Sequence, residues 1–132
     1  MLYLRPAEQE EMKELARMLI AEEVDPAALE LEGYSSFILD DAGKIAGFFT
    51  YRIDHEIFPH VYYFLVAKEY RDAKTWFTLI RQMRQFFWTI GYTKIIFHSL
   101  EYKPGLETLL RWYTHSPPYA EADGRKYFLM EA

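Results

Sequence analysis

The stretch HVYYFLVAKEYRDAKTWFTLIRQMRQFFWTIGYTKIIFHS, residues 60–99, decides the fold of this chain. Residues 60–67 are rich in aromatic and β-branched side chains, which predicts a strand. Residues 73–90 carry apolar side chains at helical spacing, which predicts a helix with one buried face. Gly91, just past the last of them, predicts the C-cap of this helix. Residues 93–99 predict a second strand. Two strands joined by an amphipathic helix indicate a βαβ unit with a parallel or splayed strand pair. We predict that the two strands are neighbours and splay apart at the start of the helix.

The short polar turn at residues 68–72 is the part of this unit that matters most for function. Backbone N–H groups at the start of a helix point toward any anion that binds there. Residues 68–84 hold five basic side chains against two acidic ones, whereas residues 1–32 hold nine acidic side chains against three basic ones. The sequence therefore places positive charge at the start of the central helix.

The rest of the chain surrounds this unit with short elements. We predict strands at 2–5, 35–40 and 44–53, helices at 8–22, 26–32 and 106–113, and a closing hairpin around Asp123-Gly124. This order predicts an α/β fold with a mixed, mostly antiparallel sheet and helices on its faces. At 132 residues, the chain is expected to form a single domain over residues 1–132.

Composition excludes several classes of function. The chain has no cysteine, which excludes disulfides, thiolate metal sites and a cysteine nucleophile. The net charge of −5 argues against broad nucleic-acid binding. The four histidines show no ligand spacing, so we expect no metal. No apolar run is long enough to span a membrane, and the start shows no secretory signal, so we expect a cytoplasmic protein.

The order and lengths of the predicted elements resemble the GNAT superfamily of acyl-CoA-dependent N-acyltransferases. YLRPAEQEEMKELARML resembles the family's first strand and helix, KIAGFF its third strand, and LLRWY (109–113) a later helix that ends in a tyrosine. FLVAKEYRDAKTW resembles its acyl-CoA loop, a strand followed by Pro-Glu-Tyr-Arg and Gly-x-Gly-x-Gly or Ala. The resemblance implies acetyl-CoA or another acyl-CoA as co-substrate. It assigns the following residues to cofactor binding: Leu65, Val66, Ala67, Arg71, Asp72, Ala73, Lys74 and Thr75.

The loop departs from the family pattern at its three small positions, which are Asp72, Lys74 and Trp76 here. An aspartate at a helix N-cap bonds the N–H groups that a phosphate would use, and its charge repels the phosphate. Arg71 and Lys74 oppose this effect, because either can bind a phosphate oxygen directly. We therefore expect a degenerate loop without the backbone cradle for pyrophosphate. The alternative is that Asp72 only caps the helix and that Trp76 fills an empty pocket.

The catalytic positions implied by the resemblance are also altered. Members often carry a carboxylate in the middle of the fourth strand as general base, where this chain has Tyr62 and Tyr63. His60 and Glu56 are the nearby substitutes, since a histidine titrates in the useful range. Tyr113 matches the family tyrosine that protonates the leaving thiolate. The alternatives are that His60 is a loop histidine without a task and that Tyr113 is an aromatic packed at a helix end.

Two interpretations of function remain open. The first is an N-acyltransferase, expected to be an acetyltransferase, acting on a small-molecule or peptide amine. In the family, the loop between the first two helices borders the acceptor cleft, so we assign Glu23, Asp25 and Glu30 to binding a cationic amine. The second is a non-catalytic GNAT-like protein, similar to short virus-encoded members that have lost the glycine loop. A homodimer is left open in both interpretations.

Overall fold

The computed structural model describes residues 1–53, 58–98, 120–122 and 125–132. The strands are β1 (Leu2–Pro6), β2 (Tyr34–Asp41), β3 (Lys44–Arg52), β4 (His60–Val66), β5 (Lys94–His98), β6 (Ala120–Ala122) and β7 (Arg125–Glu131). The helices are α1 (Met12–Ala21) and α2 (Ala73–Thr89), and short 3-10 turns lie at Gln9–Glu11, Ala27–Glu30 and Lys68–Tyr70. The helix predicted at 106–113 and the turn at 123–124 lie outside the described residues.

The strands form one seven-stranded sheet in the order β1-β2-β3-β4-β5-β7-β6. Its neighbours pair antiparallel, except for β4 and β5, which are parallel. The predicted mixed, mostly antiparallel sheet with helices on its faces is therefore confirmed.

The core lies on both faces of the sheet because successive strand residues point to opposite sides. Phe49 packs with Leu79 and Met83 of α2 on one face. Phe48, the preceding residue, packs with Leu15 of α1 on the other face. Among the described residues, no helix is long and apolar enough to cross a membrane.

The helix α2 ends where the sequence predicts. Gly91 has φ +101°, and its N–H bonds the carbonyl of Trp88 at 3.0 Å. Tyr92 N–H bonds the carbonyl of Phe87 at 2.9 Å, which completes a Schellman C-cap. Ile90, which the helical spacing places on the buried face, is instead 46% exposed because it is the C-cap residue.

Two of the predicted helices differ from the structure. The segment 8–22 begins with a 3-10 turn at Gln9–Glu11, and the α-helix itself starts at Met12. The segment 26–32 forms only a 3-10 turn at Ala27–Glu30. The carboxylate of Asp25, just before this segment, accepts a hydrogen bond from the N–H of Ala27. This bond closes a local turn instead of capping a helix.

Candidate functional site

A groove of about 1010 Å³ opens between the C-terminal half of α1 and the end of β4. The start of β3 and the turn Lys68–Tyr70 complete its walls. Gly47 allows β3 to lie close to β4 here, because a Cβ at this position would sit 2.8 Å from the carbonyl oxygen of Leu65. A glycine inside a strand suggests either a bulge or a close backbone approach, and the structure shows the close approach at Gly47.

The groove brings together part of the predicted cofactor-binding set. Leu65, Val66, Ala67 and Arg71 line it. The other four, Asp72, Ala73, Lys74 and Thr75, lie at the start of α2, outside the lining that the described residues define. Lys44 and Lys68 also line the groove, and sequence reasoning missed both as candidates. Lys68 could have been identified from the sequence, because it lies in the turn 68–72. Lys44 could not, because it reaches the groove only through the pairing of β2 with β3.

The parallel pairing beside the groove is short. His60 pairs with Ile96 and Val61 pairs with Phe97, and Ile96 N–H donates to the carbonyl of Pro59 at 2.9 Å. Tyr62 is the extra residue at a bulge against β3, because Thr50 aligns with Tyr63 whereas Tyr51 aligns with Val61. The described pairing of β4 with β5 is thus confined to the start of β4. The predicted adjacency of the two strands is confirmed.

The start of α2 is capped from within the chain. Asp72 has an extended backbone, and its Oδ1 accepts a bond from Thr75 N–H at 2.7 Å. This N–H bond is the largest of the causes that hold the pKa of the Asp72 carboxyl below its usual value. One backbone donor that a phosphate would use is therefore already bonded.

Trp76 occupies the last of the three small positions of the family loop. Its ring stacks on Phe64 of β4, with centroids 5.5 Å apart and planes 26° apart. Phe64 in turn meets Phe97 of β5 edge-on at 5.6 Å. The indole is half-buried and packs against the core on the α2 face of the sheet. Its bulk serves core packing at a position where the family pattern has a glycine or alanine.

The Arg71 side chain bonds to both walls of the groove. Its Nε donates to the carbonyl of Val66 at 3.2 Å, and its Nη2 forms an ion pair with the Glu22 carboxylate at the end of α1. Tyr70 is fixed as well, since its hydroxyl donates to Asp41 at 2.8 Å, and this bond raises the pKa of the tyrosine. These contacts tie the turn after β4 to α1 and to the β2–β3 hairpin.

The predicted catalytic residues are only partly described. Glu56 and Tyr113 lie outside the described residues. His60 is half-buried at the start of β4, with its ring centroid 6.3 Å from that of Tyr62 and 5.9 Å from that of Tyr127. It stands at the start of β4, whereas Arg71 bonds the carbonyl of Val66 at the other end of this strand. The strand spans roughly 20 Å between these two ends, at about 3.3 Å per residue.

Tyr63 has a structural task. Its hydroxyl donates to the carbonyl of Asp25 at 2.5 Å and accepts from Ala28 N–H at 3.2 Å. Burial raises the pKa of Tyr63 to about 12. Tyr63 therefore cannot serve as a base near neutral pH, and its hydroxyl fixes residues 25–28 beside β4.

One of the predicted substrate-binding acids, Asp25, lies in that segment, and the other two, Glu23 and Glu30, flank it. The side chains of Glu23, Asp25 and Glu30 are exposed. Glu23 has φ +61°, a conformation that usually costs a non-glycine residue about 1–2 kcal/mol. The structure thus places exposed carboxylates on a turn that is anchored to β4. Their role with an amine stays a prediction. The described residues contain no group of three or more ligating side chains that suits a metal ion.

Comparison with known proteins finds similarity only to solved structures. No family model matches the sequence, and no curated protein matches it. Among solved structures, the chain is similar to a GNAT family acetyltransferase from Elizabethkingia anophelis with acetyl-CoA bound, with a TM-score of 0.74 and 14% identity over 99% of this chain and 98% of that one.

Two further structures show the same likeness. The ribosomal-protein-S18-alanine N-acetyltransferase from Escherichia coli matches with a TM-score of 0.72 and 11% identity over 99% of this chain and 94% of that one. A spermidine/spermine N-acetyltransferase from Vibrio cholerae matches with a TM-score of 0.63 and 16% identity over 98% of this chain and 89% of that one. The chain thus has the mixed α/β fold of these structures, the GNAT fold.

Proposed function

We propose that the protein is an N-acyltransferase that moves an acetyl group from acetyl-CoA to a primary amine of a small molecule or peptide, acting as a single domain. The observation that carries the proposal is the groove at the end of β4, which Arg71 borders. The GNAT fold supports it, and so do the named substrates of two similar structures, a polyamine and an alanine of a ribosomal protein.

Three cationic side chains of the groove, Lys44, Lys68 and Arg71, can contact an elongated anionic co-substrate. The lining also includes three carboxylates, those of Glu14, Glu22 and Glu69, so its formal charge is balanced. The start of α2 suits a phosphate less well, because Asp72 bonds the N–H of Thr75 and adds a negative charge. The pyrophosphate of coenzyme A would therefore be held by side-chain cations instead of a backbone cradle.

The separation of Arg71 and His60 fits a long co-substrate that lies along β4. The phosphates would bind at the end of the strand, and the thioester would lie toward its start. The acceptor amine would attack the thioester carbonyl, with His60 or Glu56 taking its proton through water. Tyr113 would protonate the departing thiolate. The products are an amide and the free thiol of coenzyme A.

The test is a transfer assay read by mass spectrometry. The native chain is incubated with acetyl-CoA and a panel of polyamines and peptides, and each amine is examined for one added acetyl group. We expect acetylation that depends on the protein and is reduced in Arg71→Ala. Equal acetylation with and without protein across the panel would contradict the proposal.

A non-catalytic binding protein is the second candidate, and the contacts of Asp72 and Trp76 favour it. Both side chains occupy positions that the acyl-CoA loop keeps small. A thermal shift with acetyl-CoA separates the two candidates. A ligand of the native state at a hundredfold excess over Kd stabilises it by roughly 2.7 kcal/mol. An acyltransferase should show such a shift, whereas a scaffold without a coenzyme A site should show none.

A further inference from the structure

The ion pair between Arg71 and Glu22 joins the two walls of the groove. Arg71 belongs to the turn after β4, and Glu22 is the C-cap residue of α1. The partners are 49 residues apart in the sequence, so the contact is purely tertiary. Both side chains line the groove, and both are partly exposed, at 37% for Arg71 and 26% for Glu22.

The Glu22 carboxylate accepts from Nη2 of Arg71, one of the donors that a phosphate would use. Nε of Arg71 is bonded to the carbonyl of Val66, so the end of the guanidinium is the part that faces other partners. An oxygen of Glu22 already accepts from that end. A phosphate and a carboxylate bind guanidinium in the same fork geometry and compete for it.

The closing turn of α1 fixes the backbone of Glu22, from which its side chain extends to Arg71. Its N–H bonds the carbonyl of Leu19 at 3.0 Å, and Val24 N–H bonds the same carbonyl at 3.0 Å. Glu23 takes the left-handed conformation between them, so the turn closes α1 in the Schellman manner. A carboxylate at this end of a helix is repelled by the helix dipole, and Arg71 offsets that repulsion.

We propose that Glu22 is a competing carboxylate that sets the affinity of this groove for phosphate-bearing ligands. A phosphate that binds Arg71 displaces Glu22 from the guanidinium, and the Glu22 carboxylate then lies at the negative end of α1 without the Arg71 contact. Arg71 is thus the anion-binding side chain, and Glu22 is the residue that limits its use. The inference rests on the proposed function, because it concerns the ligand of the same groove.

The test compares Glu22→Gln with the native chain in calorimetric titrations of coenzyme A and of inorganic pyrophosphate. Glu22→Gln should tighten the binding of both by about three- to tenfold, because a competing and repelling charge is removed. Glu14→Gln is the matched control. Glu14 lines the same groove but pairs with Arg17 at 2.7 Å, so this variant removes an equal charge without touching Arg71. In an Arg71→Ala background, Glu22→Gln should gain no more than Glu14→Gln does.

If coenzyme A binds and Glu22→Gln gains no more than Glu14→Gln, the competition is overturned while the proposed function stands. If coenzyme A does not bind but pyrophosphate binds Glu22→Gln more tightly than the native chain, the competition stands and the proposed function fails. If neither ligand binds Glu22→Gln, both are overturned. Circular dichroism of each variant checks that it is folded.

Discussion

The Asp72 carboxylate accepts the N–H of Thr75 at 2.7 Å, in the first turn of the helix where a GNAT-like loop would offer free donors to a phosphate. Asp72→Gly should therefore tighten coenzyme A binding by roughly two- to fivefold, since it frees a donor and removes a repelling charge. It should also lower Tm, because glycine is a poorer cap than aspartate. Titration calorimetry and thermal melting measure the two effects.

Asp72→Asn is the control that separates the effect of the charge on affinity from the effect of the cap on Tm. Asparagine keeps a side-chain acceptor for the Thr75 N–H but carries no charge. It should leave Tm nearly unchanged and give only the part of the affinity gain that comes from charge. Low-micromolar binding by the native chain that Asp72→Gly weakens would contradict this account of the loop.

Tyr113 is the predicted proton donor to the thiolate. If the protein is an acyltransferase, Tyr113→Phe should lower turnover by about a hundredfold or more, the usual contribution of a positioned acid. Binding of acetyl-CoA should barely change, because the hydroxyl acts only when the thiolate departs. Steady-state kinetics and titration of the same preparation check this. Loss of binding together with turnover would show a packing role instead.

The Asp40 carboxylate links stability to pH. It is buried and accepts from Gly43 N–H and from Arg5 Nε, each at 3.1 Å. These bonds, that of Gly43 foremost, hold its pKa below the usual value. The native state thus favours the charged form, so this stability is complete above the ordinary pKa of about 4 and is lost as the pH falls below it.

The test follows the urea midpoint of unfolding from about pH 5 down to about pH 3. The native chain should lose stability over this range, and Asp40→Asn should lose less of it. Glu32→Gln, which changes an exposed acid, should follow the native curve. A native-like slope in Asp40→Asn would refute this assignment.

Gln82 covers the free edge of the sheet. Its side-chain oxygen accepts from Leu4 N–H at 2.9 Å, and its amide nitrogen donates to the carbonyl of Leu2 at 3.2 Å. β1 is the edge strand, so these are backbone groups on the side away from β2. Gln82→Ala should destabilise the fold by about 1–2 kcal/mol. Gln85→Ala, at an exposed position on the same helix, should cost less than about 0.5 kcal/mol in the same denaturant titration.

Local patterns predicted most of the fold. The apolar spacing of residues 73–90 predicted α2, Gly91 predicted its end, and Asp72 predicted its cap, because each depends on neighbours within a few residues. The sequence did not predict that residues 27–30 form only a 3-10 turn. That segment is held by Tyr63 from a distant strand, so its conformation follows from tertiary contacts and not from helix propensity.

The candidate site was less predictable for the same reason. The resemblance indicated Arg71, but its partner Glu22 could be found only from the path of α1 across the sheet. Lys44 reaches the groove through the register of β2 and β3, which one sequence does not reveal.

Calorimetric titration of the native chain with acetyl-CoA shows whether the groove beside Arg71 binds an acyl-CoA. We predict that one acetyl-CoA binds per chain. Its Kd should lie toward the weak end of the roughly 1 μM–1 mM range that enzymes show for KM. Arg71→Ala should weaken binding by about tenfold, and Arg81→Ala, on the exposed face of α2, should leave it unchanged. No binding to the native chain within that range, or equal binding to Arg71→Ala, would contradict an acyl-CoA site in this groove.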